Sequence, residues 1–124
     1  ILNKKWTKLI DLNLELIRYF MVTLNLTTPT VDSSTLKKSS DRSQRLLDIC
    51  KQLNASCYIS GISGKDYLDE KIFHNSGIKI IYENFQHPVY NQIHGDFVEN
   101  LSILDLLFNE GENSQKILIN AKNL

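Results

Sequence analysis

The alternation of short β-prone runs with amphipathic helical patterns is the feature that most constrains the fold of this chain. Extended segments are expected at residues 27–36, 56–60 and 78–83, and single helical patterns separate them. Strands connected through single helices pair in parallel by right-handed crossovers. The sequence therefore predicts an α/β fold with three layers, in which a small, mainly parallel sheet of about three strands is flanked by helices.

The helical patterns are marked by apolar residues three and four positions apart and by capping residues. They cover residues 7–26, from 40 or 41 to about 53, from 63 to 77, 101–109 and 112–120. Asp41 followed by Gln44 has the spacing of an N-terminal cap, and Asn54 fits the left-handed position after a helix. The helix at 101–109 is so apolar that we expect it to be almost wholly buried.

Length, charge and cysteine content bound the functional class. The 124 residues make one domain at most, so residues 1–124 are predicted to form a single α/β unit. Basic and acidic residues number 14 each, so the net charge is zero and no nucleic-acid partner is expected. No run approaches the roughly 20 apolar residues of a membrane span, and no signal peptide is recognised. Cys50 and Cys57 predict buried thiols in a reducing compartment, so we expect a cytoplasmic location.

The first stretch that could carry chemistry is the junction between the strand at 56–60 and the next helix. It contains Ser60, Gly61, Ser63, Gly64 and Lys65. The glycines allow a sharp turn or close approach to a ligand. Exposed N–H groups at the helix start, with a lysine in the first turn, would attract a small anion. A tight turn without a ligand is the alternative, and both interpretations stay open.

Two familiar phosphate-binding motifs do not fit this junction. A Walker loop requires glycine where Ile59 lies, and it requires serine or threonine after Lys65, where the chain has Asp66. The glycine fingerprint of dinucleotide-binding folds is not met either. The junction is therefore not a nucleoside-triphosphate loop, and a generic anion-binding turn and a turn without a ligand remain as its two interpretations.

The second stretch is an irregular segment from about residue 84 to 100 that is rich in aromatic and polar residues. His87 and His94 are seven positions apart and lack further metal ligands, so no metal site is predicted. A polar surface loop with aromatic anchors is one interpretation. The other is a substrate contact, because the phenol, amide and imidazole of Tyr90, Gln92 and His94 suit sugar or nucleotide hydroxyls.

One string is recognisable as a family signature. The run Cys57-Tyr-Ile-Ser-Gly-Ile-Ser-Gly-Lys-Asp-Tyr-Leu-Asp69 resembles the Tyr-Leu-Ser-Gly-x-x-Gly-Lys-x-Tyr-Leu-Asp signature of the WbqC-like family. Later matches follow in order: Phe73, Gly77-Ile78, Pro88-x-Tyr90-x-Gln92, Phe97, and Leu101-Ser-Ile-Leu-Asp-Leu-Leu-Phe-Asn109 with Gly111. The family's N-terminal half, with its Gln-Pro-x-Tyr-Phe-Pro opening, has no counterpart, and the chain starts at Ile1. We therefore expect a C-terminal fragment against which the missing half packs.

The resemblance implies a role in bacterial surface-polysaccharide biosynthesis, among O-antigen or capsule genes. It specifies neither a reaction nor a cofactor. One hypothesis is a transferase that acts on a nucleotide-linked or amino sugar, in which Lys65 holds negative charge and Tyr90, Gln92 and His94 face the sugar. The alternative is a non-catalytic scaffold or regulatory module of the same pathway, which would present an exposed apolar patch on its first helix.

Overall fold

The computed structural model describes Ile1 and residues 3–121. The described helices are α1 (Leu9–Thr23), α2 (Arg42–Gln52), α3 (Glu70–Asn75), α4 (Ile103–Glu110) and α5 (Ser114–Asn120). The strands are β1 (Cys57–Gly61) and β2 (Lys79–Glu83), and short 3-10 turns occur at Ser33–Thr35, Ile62–Asp66 and Gly111–Asn113. The chain divides into two compact units: Thr30–Phe85, and Ile1–Pro29 together with the described residues from Gln86 onward.

The unit Thr30–Phe85 contains a parallel pair of strands connected through α3. Cys57 is in register with Lys79 at one end of the pair, and Gly61 with Glu83 at the other. A parallel pair requires a crossover, which the turn Ile62–Asp66 and α3 supply. The predicted α/β class and the parallel pairing of the strands near 56–60 and 78–83 are therefore confirmed.

The extended segment expected at residues 27–36 does not form a strand. It ends in the 3-10 turn Ser33–Thr35, where the Asp32 carboxylate accepts a hydrogen bond from the Ser34 N–H at 2.8 Å. The Thr35 hydroxyl donates to the Asp32 carbonyl at 2.7 Å. Such short polar side chains bond to the local backbone and compete with a sheet. The prediction of a strand here is therefore wrong; the described sheet has two strands, and the three-layer arrangement is not confirmed.

Five residues form the core of this unit: Leu47, Cys50, Leu68, Phe73 and Ile78. The Phe73 ring is fully buried and stacks on the Tyr58 ring, with centroids 5.5 Å apart. Burial raises the pKa of the Cys50 thiol, which favours its neutral form. Cys50 is thus a small apolar core residue, as its position in the helical pattern predicts.

Local capping fixes the ends of α2, as predicted. The Asp41 carboxylate accepts a hydrogen bond from the Gln44 N–H at 2.8 Å. Asn54 has a positive φ of 53°, which is the left-handed conformation expected after a helix. The sequence therefore specifies both ends of this helix through single residues.

The helix after the junction starts later than the sequence suggests. Residues 62–66 form a 3-10 turn, Tyr67 leaves helical geometry with φ −138°, and α3 begins only at Glu70. The Asp69 carboxylate caps it by accepting from the Lys71 N–H at 3.0 Å. The Ser43 hydroxyl of α2 accepts a hydrogen bond from the Asp69 N–H at 3.0 Å and donates one to the Tyr67 carbonyl at 3.3 Å. These two bonds hold residues 67–69 in a non-helical conformation.

The other unit has few buried side chains. Among its described residues they are Leu24, Tyr90, Leu106 and Ser114. The prediction that the helix near 101–109 is almost wholly buried is wrong, because within α4 only Leu106 is buried and Phe108 is 79% exposed. Its ends follow the sequence: the Ser102 hydroxyl accepts from the Leu104 N–H at 3.2 Å, and Gly111 follows its last residue.

Helix α1 exposes much of its apolar surface. None of its residues is buried, and Leu9 and Val22 are 71% and 78% exposed. A surface helix normally turns its apolar stripe toward a core. Among the described residues, no helix combines the length and the apolar character that crossing a membrane requires.

Candidate functional site

The junction lies at the carboxyl ends of the two parallel strands. Ser60 is buried at the end of β1, and its hydroxyl donates to the Gly61 carbonyl at 3.1 Å. Gly61 is exposed, and a side chain built there would meet no heavy atom within 4 Å. The Ser60 hydroxyl is therefore directed into the strand end, whereas the space at Gly61 is open.

Gly64 is required for close packing of the turn, and it does not open space for a ligand. It is buried, and a Cβ at this position would overlap the Ser60 hydroxyl and lie 3.1 Å from Leu68 Cδ1. Its carbonyl accepts the N–H groups of Tyr67 and Leu68 at 3.2 and 2.9 Å. The N–H groups after Gly64 are thus bonded within the turn, and the α-helix itself starts at Glu70. The anion-binding feature that remains at the junction is the charge of Lys65.

Lys65 places its ammonium beside an aromatic ring at the same edge of the sheet. Its Nζ lies 5.3 Å from the centroid of the Tyr82 ring, a cation–π distance. The Tyr82 hydroxyl donates to Glu70 Oε1 at 2.7 Å, and this bond to a carboxylate raises the pKa of Tyr82 to about 12. Within the described part of the chain, Lys65 forms no ion pair. Its charge, together with the exposed Ser63, is available to a ligand.

In the other unit, Tyr90 and Gln92 share one carboxylate oxygen. The Tyr90 hydroxyl donates to Asp105 Oδ2 at 2.8 Å, and Gln92 Nε2 donates to the same oxygen at 2.9 Å. Burial, followed by the bond to Asp105, raises the pKa of Tyr90. Both side chains expected to face a sugar are therefore used to attach the irregular segment to α4.

Gln92 also closes a loop, residues 92–98, here named the Gln92 loop. Its Nε2 donates to the Val98 carbonyl at 3.0 Å, and its Oε1 accepts the Val98 N–H at 2.8 Å. The amide thereby acts like a peptide group of a neighbouring strand. His94 lies exposed within this loop beside Gly95, whose φ is 68°. Of the three predicted sugar-facing residues, His94 is the one that the loop presents to solvent.

The rings around Tyr90 form a small aromatic cluster. The rings of Tyr90 and Phe97 meet edge to face with centroids 5.4 Å apart, and His87 lies 5.9 Å from Phe97 and 6.0 Å from Tyr90. His87 is thus a packing residue, whereas His94 is exposed. The described residues contain no group of three or more His, Cys, Asp or Glu side chains that could hold a metal ion.

The predicted site residues fall into two separate sets. Ser60, Gly61, Ser63, Gly64 and Lys65 belong to the unit Thr30–Phe85, and Tyr90, Gln92 and His94 belong to the other unit. Asp105 anchors two of these residues, Tyr90 and Gln92, and the sequence did not indicate this role. Its partners lie 15 and 13 positions earlier, and no local pattern indicates such a pairing.

The chain is similar to a protein family and to a curated protein. The model of the WbqC-like protein family matches residues 1–117. "Uncharacterized protein Rv1507c" of Mycobacterium tuberculosis (strain ATCC 25618 / H37Rv) is 32% identical over 111 residues, which are 89% of this chain and 48% of that protein. The chain thus spans about half the length of this curated relative. No solved structure matches this chain.

Proposed function

The chain belongs to the WbqC-like protein family, and we propose that it is part of a bacterial surface-polysaccharide (O-antigen or capsule) biosynthesis protein. In this proposal the whole protein is a transferase that acts on a nucleotide-linked or amino sugar. The family signature from Cys57 to Asp69 supports the pathway, because the resemblance implies that setting. The observation that carries the ligand class is the unpaired ammonium of Lys65 at the carboxyl edge of the described sheet.

The position of Lys65 is the reason to expect a phosphate-bearing ligand there. Ligands of open α/β sheets bind outside the carboxyl ends of the strands. At that edge Lys65 supplies charge, Ser63 supplies an exposed hydroxyl, and the open space at Gly61 admits a ligand close to the backbone. Lys65 would hold the negative charge of a diphosphate by electrostatic attraction.

The Gln92 loop supplies the candidate sugar contact. His94 is exposed, and the bonds from Gln92 to Val98 fix the ends of the loop that carries it. We assign Tyr90 and Gln92 the role of holding this loop through Asp105. A fixed loop keeps the imidazole in one region of space, and this lowers the entropic cost of binding a sugar hydroxyl.

We further propose that another part of the full-length family protein packs against this chain. The curated relative has about twice the length of the matched segment. Leu9 and Val22 of α1 are 71% and 78% exposed, although apolar residues of a helix normally pack against a core. The proposed ligand site is then completed by residues from that part.

Titration of the full-length protein with uridine diphosphate N-acetylglucosamine tests the enzyme proposal. We expect Lys65→Ala to weaken binding about tenfold, because one charge-assisted contact is lost. Lys71→Ala is the matched control, since Lys71 is an exposed cation of the same unit. The His94 contact is tested separately with N-acetylglucosamine, whose binding we expect His94→Ala to weaken, with His74→Ala as its control. Equal affinities for all four variants and the parent protein would refute the site assignment.

A non-catalytic scaffold is the second candidate, and the exposed face of α1 favours it. A scaffold needs an apolar docking surface and no ligand. Ile10 and Ile17 lie seven positions apart on one face of α1 and are 55% and 48% exposed. Immobilised protein with Ile10→Ser and Ile17→Ser would then lose a polysaccharide-pathway enzyme that the parent protein retains. Retention of such an enzyme, together with no detectable nucleotide-sugar binding, would favour the scaffold over the transferase.

A further inference from the structure

A segment before α2 is held along the helix like a strap. This strap, residues 37–40, is attached at its start by Gln52, which donates to the Lys37 carbonyl at 2.6 Å and accepts the Lys37 N–H at 3.1 Å. At its end Arg45 donates to the carbonyls of Ser39 and Ser40 at 3.2 and 2.8 Å. The strap is therefore fixed by side chains of one rigid element, at both of its ends.

Asp48 of α2 fixes the middle of the strap. Its Oδ2 accepts both the N–H and the hydroxyl of Ser39, at 2.9 and 2.7 Å, and its Oδ1 accepts the Gln44 amide at 2.7 Å. The bonds from Gln44 and then from Ser39 lower the pKa of Asp48. The carboxylate is thus ionised at neutral pH, and uncharged donors occupy both of its oxygens.

Strap and helix together border an open surface cavity of about 420 Å³. It is lined by Lys37, Lys38, Ser39, Asp48, Lys51 and Gln52. Three lysines and one aspartate contribute to this lining, although the whole chain has no net charge. In the described part of the chain the one ion pair is Lys4–Glu15, so none of these three lysines is paired.

The nearest acids only partly offset this charge. Lys38 donates to the uncharged Ser33 carbonyl, and it lowers the pKa of Asp32 as the weakest of several causes. Lys51 likewise is the weakest influence on the pKa of Asp48. Both carboxylates accept hydrogen bonds from neutral groups, Ser34 in the case of Asp32. A net positive charge therefore remains at the cavity.

We propose that this cavity binds a small phosphate-bearing anion, with Lys38 and Lys51 as its charged contacts. Its volume lies within the range of about 300–1,000 Å³ that is typical of small-molecule sites. Several ammonium groups around one concavity match the multiple charges of a pyrophosphate. The site is separate from the junction, and it does not depend on the function proposed for Lys65.

The strap explains why the lysines form a site and not merely a solvated surface. A flexible basic segment would lose conformational entropy when it closed on an anion. Here the bonds of Gln52 and Asp48 already fix the backbone of Lys37 and Ser39 before any ligand is present. The backbone part of the cost of ordering the site is therefore met by folding of the protein.

Calorimetric titration of the full chain with inorganic pyrophosphate tests the proposal. We expect Lys38→Gln and Lys51→Gln each to weaken binding about tenfold. Lys71→Gln and Lys79→Gln remove the same charge elsewhere in the unit and are expected to leave binding unchanged. A parallel titration with uridine diphosphate separates the sources: equal affinity indicates a free phosphate ligand, and tighter binding indicates a nucleoside diphosphate.

Three results would overturn the proposal. The first is absence of pyrophosphate binding to the parent chain. The second is an equal loss in all four variants, which would indicate non-specific attraction to charge. The third is unchanged binding in both Lys38→Gln and Lys51→Gln, which would show that pyrophosphate binds outside the cavity. Thermal unfolding of each variant confirms that the comparison is made on folded protein.

Discussion

The hydroxyl of Ser60 occupies the space into which a side chain at Gly64 would project. Ser60 lies in β1, and Gly64 lies four positions later, within the turn Ile62–Asp66 that follows the strand. Glycine at position 64 is therefore demanded by close packing of the turn against the strand end. The second glycine of the family signature has a structural role, whereas Gly61 lies in open space.

This difference predicts opposite outcomes for two conservative substitutions. Gly64→Ala forces the added methyl group against Ser60 and Leu68, so we expect the free energy of unfolding to fall by about 1–3 kcal/mol. Gly61→Ala places a methyl group in open space at φ −63°, and we expect a change within about 1 kcal/mol, toward higher stability. Urea unfolding of both variants measures the contrast. Equal destabilisation by the two would contradict the packing role of Gly64.

Asp105 is predicted to be a principal anchor of the irregular segment. Asp105→Ala leaves the Tyr90 hydroxyl and the Gln92 amide without their acceptor, so we expect a loss of about 2 kcal/mol in unfolding free energy. Tyr90→Phe removes one of the two bonds and should cost less. Asp96→Ala removes an exposed carboxylate of the Gln92 loop and is the control, with an expected change within about 0.5 kcal/mol. Chemical denaturation followed by tryptophan fluorescence and circular dichroism provides the measurement.

Tyr82 is predicted to make stability depend on pH in the alkaline range. Its pKa in the folded protein is about 12, against an ordinary value of 10.0, because its hydroxyl donates to Glu70. A raised folded-state pKa means that the contribution is fully present below pH 10 and is lost as the pH rises toward 12. Spectrophotometric titration of tyrosinate should show one late-titrating group. Glu70→Gln should move that group to lower pH, and an unchanged titration curve would rule out the assignment.

Asp48 is predicted to make stability depend on pH at the acidic end. Its hydrogen bonds to Gln44 and Ser39 lower its pKa below the ordinary 3.8. The contribution of Asp48 is therefore present above pH 3.8 and is lost as the pH falls through its lower folded-state pKa. Urea midpoints measured from pH 7 to pH 2 should fall less for Asp48→Asn than for the parent protein. Asp66→Asn, which changes an exposed carboxylate of the same unit, should follow the parent curve.

The sequence predicted those helix ends and strands that are determined by interactions within a few residues. The cap from Asp41 to Gln44, the left-handed Asn54 and the two strands flanking α3 are each specified within a few residues. The segment at 27–36 has β-prone composition, but the side chains of Asp32 and Thr35 bond to the local backbone. Propensity alone does not reveal that competition. The helix after the junction was placed too early for a similar reason, since Ser43 holds the segment before Asp69 from another element.

The same distinction between local and long-range interactions applies to the candidate site. The junction is contiguous in sequence, so its residues were predicted as one group and the structure places them on one edge of the sheet. The roles of Tyr90 and Gln92 were not predictable, because their acceptor lies on a helix more than ten positions later. The strap depends in the same way on side chains of α2 that reach back over 9 and 15 positions. Long-range hydrogen bonds leave no periodic trace in a sequence.

A sheet of two strands leaves each of them with one side unused. Outside the pairing of β1 with β2, no described strand bonds to either of them, so a row of backbone donors and acceptors remains on each outer edge. Lys79 and Glu83 place charges at the ends of β2, whereas β1, Cys-Tyr-Ile-Ser-Gly, has none. The uncharged edge is the better template for a further strand. Concentrated preparations of this chain should therefore self-associate through β1, and a lysine in place of Ile59, which is 62% exposed, should keep them dispersed.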